Sequence, residues 1–331
     1  MMSYRLLIAL LAGLAAVLAL GTLLIGPAGI SPATSLASLL TGDSSDIFAI
    51  VMREIRLPRM LGGLVVGISL GLAGAAMQGY LRNPLAEPGL LGVSGSAALG
   101  AVLVLQSGLA GLFGLALPMA AIGGALLAAI VMLLVSGRSR SSLALILAGV
   151  ALSALAGALT SLVLNLSPNP FAASEIMFWM MGSLANISFD QLGLALPFMV
   201  AGWLLLFAAR RSLDALSLGE DAAAGLGVNL QQLRLLVILG CAASIGAVTA
   251  IAGVVGFAGL VVPHLLRRLV GGEPGRLLLA SALGGACLIL ATDIAVRLVA
   301  PDRDLKLGVV MAMIGAPLFL HLVWQTGRQE A

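Results

Sequence analysis

The chain has 331 residues, of which 60% are apolar and only 9% charged, with a formal net charge of +3 and a mean hydropathy of +1.14. A soluble domain carries about 25% charged residues, so these charges are too few to cover a water-exposed surface. A soluble enzyme, a nucleic-acid binder and a disordered chain are thereby excluded. What remains is an all-α polytopic membrane protein whose basic pI near 9.4 reflects loop charge.

A membrane-crossing helix needs about 20 apolar residues at about 1.5 Å rise each. Read in chain order, the apolar runs are 6–26, 60–80, 91–107, 111–135, 143–166, 192–209, 233–266, 277–300 and 307–324. The first follows Arg5 and precedes Gly26-Pro27-Ala28, as a signal peptide would. Its apolar stretch is longer than the roughly 7–15 residues of such a segment, which favours an uncleaved first helix. The connection 27–55 is long and polar, and it ends in Arg53-Glu54-Ile55-Arg56-Leu57-Pro58-Arg59 just before the second run. Arginines at an outer helix start either snorkel to headgroups or receive carboxylates from an extracytoplasmic partner. In the second run Gly63, Gly67 and Gly71 recur at i+4 with Ala75, a spacing that lets helix backbones approach closely. The fifth run carries Gly149, Ser153, Gly157, Ser161 and Asn165 at the same spacing, with Thr160 beside them. Such a face either packs on a neighbour or lines a water-accessible path, and spacing alone does not choose.

The inner connection 210–232 contains Leu213-Asp214-Ala215-Leu216-Ser217-Leu218-Gly219-Glu220-Asp221 followed by Gly225 and Gly227. Ser217 or Gly219 caps a short helix with acids in its first turn, and Gly225 or Gly227 ends it. This is either an interfacial linker or a rigid knob for a cytoplasmic partner. As a single helix, the run 233–266 would extend about 51 Å against a hydrocarbon core of about 30 Å. Gly253, Gly256 and Gly259 favour a break, giving spans at 233–252 and 256–268 and a total of ten. With both termini in the cytoplasm, eleven basic residues lie inside and six outside; nine spans would give ten and seven. Without low-complexity segments or evident repeats, residues 1–331 read as one membrane domain with its coupling loop at about 213–227.

Ionisable residues are nearly absent from the spans: His264, Asp293 and His321 sit near span ends, with Arg297 one turn from Asp293. A proton- or sodium-coupled transporter usually needs acids or unwound helices near the midplane, so any energy used here arrives from another polypeptide. It is not supplied by a P-loop in this one: the single lysine, Lys306, lies outside any G-x-x-x-x-G-K-[ST] sequence. Cys241 and Cys287 both lie in apolar runs and read as packed, reduced thiols rather than a disulfide or metal site.

Several stretches resemble one family, the permease subunits of type II ABC importers for ferric siderophores, haem and cobalamin. They are Arg56-Leu57-Pro58-Arg59; Gln78 to Gly92 around Asn83-Pro84-Leu85-Ala86-Glu87-Pro88-Gly89; Leu147 to Ala151; and Phe178-Trp179 with Gly182-Ser183. Leu216 to Gly219, Gly256 to His264, Asp293 with Arg297, and Gly315-Ala316-Pro317 complete the set. Together they run from about residue 53 to 324. Two departures are Thr292 before Asp293, where relatives often have Ala, and Gly272-Glu273-Pro274-Gly275-Arg276, where Asp-His-Arg is usual.

The resemblance implies ten helices per subunit and a second copy of the chain or a close paralogue. It further implies two cytoplasmic ATPase subunits that bind ATP and Mg, no cofactor in this chain, a periplasmic substrate-binding protein, and residence in the bacterial inner membrane. Ferric siderophore is the first substrate expectation on family frequency, then haem, then cobalamin. The resemblance assigns Arg56, Arg59 and Arg297 to docking of the binding protein. It assigns Leu213, Leu216, Gly219, Glu220, Asp221, Gly225 and Gly227 to ATPase coupling, and Asn83, Leu85 and Ser142 to an inner gate. It makes Ser153, Gly157, Thr160, Ser161 and Asn165 a pathway face. The competing reading is a secondary transporter or channel for a large solute that works alone. An intramembrane enzyme lacks a catalytic set: there is no H-E-x-x-H and no paired intramembrane aspartate.

Overall fold

The computed structural model describes residues 3–26, 31–41, 46–136, 142–167, 170–300, 303 and 305–329, among which there are helices and no strand. In chain order the helices are α1 (Tyr4–Leu24), α2 (Pro32–Thr41), α3 (Ile47–Ile50), α4 (Leu57–Tyr80), α5 (Val93–Ser107), α6 (Leu109–Leu112), α7 (Ala116–Ser136) and α8 (Ser142–Asn165). They continue with α9 (Pro170–Met180), α10 (Phe189–Ala208), α11 (Arg210–Leu216), α12 (Glu220–Gly225), α13 (Leu230–Ala252), α14 (Ala258–Arg267), α15 (Pro274–Val299) and α16 (Leu307–Gln329). Seven stretches are long and apolar enough to cross a membrane: α1, the continuous helix Ile47–Tyr80, α7, α8, α10, α13 and α15. Helices α5 and Leu307–His321 of α16 are shorter apolar helices. At 10 residues α14 is about 15 Å long, half of a crossing.

The centre is built from α4, α13 and α15, the most deeply buried of the long helices. Lipid is as apolar as leucine, so helices in a membrane associate through close packing and polar links rather than apolar burial. The i+4 glycine row of α4 serves this purpose. A methyl group on Gly71 would stand 1.9 Å from the Ser281 carbonyl oxygen of α15, and one on Gly67 would stand 2.4 Å from that of Gly285. Only hydrogen fits between these backbones. One turn further on, Gly74 meets the Gly259 carbonyl of α14 in the same way, at 1.9 Å. Polar links are added by the Trp203 indole N–H of α10, which donates to Ser69 Oγ of α4 at 2.9 Å, and by Gln78 of α4, whose Nε2 donates to the Leu260 carbonyl of α14 at 3.1 Å. Both cysteines are buried free thiols.

The break expected in the run 233–266 lies at the glycines: α13 ends at Ala252, Gly253 takes φ +70°, and helix resumes at Ala258. Gly253 is required there because an L side chain is strained at that φ. Elsewhere the chain is more helical than its composition suggests. The connection 27–55 contains α2 and α3, and the arginine cluster expected ahead of the second span lies within its helix, in a π-helical stretch at Val51–Arg56. Such wide turns are rare and concentrate at functional positions.

Candidate translocation and coupling sites

The C-terminal ends of α1 and α15 and the start of α4 are tied together by a buried ionic cluster. Helix α1 ends with carbonyl groups that have no partner within the helix, and a positive charge there is favourable. Arg56 supplies one, its Nη1 donating to the carbonyls of Leu23 (2.8 Å) and Leu24 (3.2 Å) and to Ser35 Oγ (3.4 Å). Arg297 supplies another, its Nη1 donating to the carbonyls of Thr22 and Ile25, both at 2.8 Å. Asp293 sits between the arginines and is 1% exposed: Arg59 donates Nε and Nη2 to its Oδ1 at 2.9 and 2.7 Å, and Arg297 donates Nη2 to its Oδ2. Two of the three arginines assigned to docking, Arg59 and Arg297, thus already hold a carboxylate of this chain. Arg56 and Arg297 are 4% and 7% exposed and their forks turn inward; Arg59 alone keeps a partly exposed edge. Arg59 and Arg297 share the one carboxylate paired with them among the described residues, and Arg56 is held by carbonyls and a hydroxyl, so the cluster carries more positive than negative charge.

At the opposite end of the bundle, by the end of α4 and the start of α15, α11 and α12 form a short helix pair. Gly219, at φ +110°, is the turn that only glycine accepts readily, and it precedes Glu220 and Asp221 in the first turn of α12. Of the residues assigned to coupling, Leu213 and Leu216 are buried, at 0% and 3% exposure, and anchor α11 to the subunit. Asp214 completes the anchor, its Oδ1 accepting the Gly275 N–H at the start of α15 at 2.6 Å. What the pair presents outward is Asp221, Gly225, Gly227 and two leucines, Leu218 and Leu226, at 68% and 66% exposure. Glu220 pairs with Arg82 at 3.7 Å.

The small-residue row of α8 has two characters. At Gly149 it is packed, since a methyl group there would meet the Leu90 carbonyl oxygen at 1.8 Å. Ser153 is half-buried beside Gly95, and Thr160 is buried. Gly157 has nothing within 4 Å of its missing side chain, and Ser161 and Asn165 are exposed. Of the expected gate, Asn83 shapes its own turn, its Oδ1 accepting the Leu85 N–H at 2.9 Å. Leu85 packs against Leu260 and Val261 of α14, as do Leu318 and Phe319 of α16. The side chain of Ser142 lies outside the described residues.

Other residues matter that sequence reasoning passed over. Glu87 accepts the Phe257 N–H at 2.7 Å, and Arg267 donates Nη2 to Gln78 Oε1 at 2.8 Å. The available signal was polarity in the wrong place: Gln78 stands in an apolar helix, and Glu87 is an acid flanked by Ala86 and Pro88.

A helical bundle with seven membrane-length helices, broken half-length elements and a protruding helix pair at one end is a multi-pass membrane protein. The chain belongs to the FecCD transport family, whose model matches residues 12–325. It is 37% identical over 331 residues to the hemin transport system permease protein HmuU of Yersinia pestis, covering 99% of this chain and 98% of the relative. The vitamin B12 import system permease protein BtuC of Vibrio cholerae is 41% identical over 272 residues, covering 82% of this chain and 81% of the relative. Among solved structures, a metal-chelate type ABC transporter in an inward-facing conformation superposes with a TM-score of 0.83 at 33% identity, over 96% of this chain and 98% of the other.

Proposed function

We propose that the chain is the membrane-spanning permease subunit of an ATP-driven importer that moves a bulky metal chelate from periplasm to cytoplasm across the bacterial inner membrane. The observation that carries this reading is the match to a hemin transport system permease, which covers 99% of this chain and 98% of that relative. That relative and the B12 permease favour haem or cobalamin; ferric siderophore is the third candidate. The subunit works with a second copy of itself or a paralogue, two ATPase subunits and a substrate-binding protein. Reconstituted with those partners in liposomes, it is expected to take up one of haemin, cobalamin or a ferric siderophore only when ATP is inside the assay on the ATPase side. Uptake by the isolated chain would instead favour a stand-alone transporter.

In this reading the seven long helices, together with α5, α14 and α16, make ten crossings with both termini cytoplasmic. The α11–α12 pair inserts into the ATPases through Gly219, Glu220, Asp221, Gly225 and Gly227, while Leu85, Asn83 and Ser142 stand at the inner gate. Exposed apolar side chains are matched by lipid, but an exposed row of Gly157, Ser161 and Asn165 is not, which supports a watery path there, continued by Ser153 and Thr160. Gly157→Trp is therefore expected to abolish ATP-driven uptake while leaving assembly with the ATPases intact; undiminished uptake would remove the path from this face. The excess positive charge of Arg56, Arg59 and Arg297 supports attraction of an acidic binding protein by its field, with Arg59 the residue in reach of direct contact.

A further inference from the structure

We propose that Glu87 is the positioning residue through which movement of the α11–α12 pair reaches the half-length helix α14. The proposal rests on the reading of α11–α12 as the ATPase-facing element. Its basis is a chain of contacts through the segment 82–88. At one end Arg82, held at φ +49°, pairs with Glu220 of α12 at 3.7 Å. The residues that follow are bonded among themselves: Asn83 N–H donates to the Gln78 carbonyl at 3.2 Å, Ala86 N–H to the Asn83 carbonyl at 3.1 Å, and Leu85 N–H to Asn83 Oδ1. Pro84 and Pro88 fix two further backbone angles. The segment is therefore a stiff arm rather than a slack loop.

At the other end the arm grips α14. Phe257 is the cap residue of that helix, held at φ +65°, and its own N–H lies outside the helical ladder and needs an acceptor from elsewhere. Glu87, 170 positions away in sequence, supplies it at the Phe257 N–H, and a carboxylate is favoured at a helix N-terminus. Pro88 lies against Gly259, 3.0 Å from where a methyl group there would stand. The Phe257 side chain in turn presses on α16 at Gly315, where added bulk would come within 2.3 Å of its Cβ. A tilt of α12 that carries Arg82 with it thus moves Glu87, the start of α14, and the contact of α14 with α16. Five positions separate Arg82 from Glu87, short enough for the arm to transmit displacement.

The test is hydrogen–deuterium exchange on the full complex with its ATPases, with and without a non-hydrolysable ATP analogue, in the parent, Glu87→Gln and Glu87→Ala. In the parent, nucleotide should change exchange both in 210–225 and in the backbone 254–260. Glu87→Gln keeps an acceptor but loses the charge, and should cut the 254–260 response about fivefold while 210–225 still responds. Glu87→Ala should abolish the 254–260 response; should that variant not assemble, Glu87→Gln decides alone. An equal 254–260 response in parent and Glu87→Gln, or none in the parent while 210–225 responds, overturns the proposal. Silence of 210–225 in the parent overturns instead the ATPase-facing reading on which it stands.

Discussion

Asp293→Ala is expected to destabilise the subunit by about 3–5 kcal/mol, the usual cost of removing one partner from a buried ion pair. The magnitude follows from what remains. Arg59 and Arg297 would face one another with no carboxylate between them, in a space where Arg297 is already 7% exposed and cannot turn to water. The damage would spread to α1, because Arg297 orients its fork with one arm on Asp293 and the other on the carbonyls of Thr22 and Ile25. Asp293→Asn preserves the volume and one acceptor but removes the charge, so it should fall between parent and Ala. Reversible unfolding of the detergent-solubilised subunit measures both, and a loss in Asp293→Ala under about 1 kcal/mol would mean that the arginines are held by other groups.

Leu218→Asp combined with Leu226→Asp is expected to weaken association with the ATPase subunits by at least about a hundredfold. Burying a leucine side chain at an interface is worth about 1.5–3 kcal/mol, and about 2.7 kcal/mol in total already corresponds to that factor. Both side chains stand two-thirds exposed, so the substitution removes few contacts within the subunit. Its own unfolding stability should stay at the parent level, which separates lost docking from lost folding. Parent-level binding to the ATPases by the double variant would displace the coupling assignment from this helix pair.

Much of the bundle was legible because apolar run length is set by the membrane itself. The break at Gly253 could be read for the same reason: 34 residues are too many for one crossing, and three glycines mark where helix is least favoured. The role of Gly67 and Gly71 was legible as spacing, though not their partner on α15 more than 200 positions away. Direction was what escaped the sequence. Positive charge at a helix start marks Arg56 and Arg59 as docking candidates, but nothing local foretells that the carbonyls at the end of α1 and Asp293 hold Arg56 and Arg297 inside. No local pattern in Val51–Arg56 announces the π-helical turn in which Arg56 lies. The loop sequence likewise does not announce that α11 folds Leu213 and Leu216 under. On α8 a single repeat covers both a packed glycine, Gly149, and an open one, Gly157, and the distinction exists only once α5 and its preceding turn are in place.

The glycine seam between α4 and α15 also constrains how the chain is made. In the emerging polypeptide α4 leaves the ribosome about 200 residues before α15, so its Gly67–Gly71 face must wait in the membrane without its native neighbour. The non-helical stretch 253–257 cannot wait in the same manner, because lipid offers its backbone no hydrogen-bonding partners. Its shelter includes Glu87, already synthesised, which accepts the Phe257 N–H, and close packing against the backbone of Trp179 and Gly182. A chain that stopped between Ala258 and Pro274 would lack α15, and with it the backbone against which Gly67 and Gly71 close.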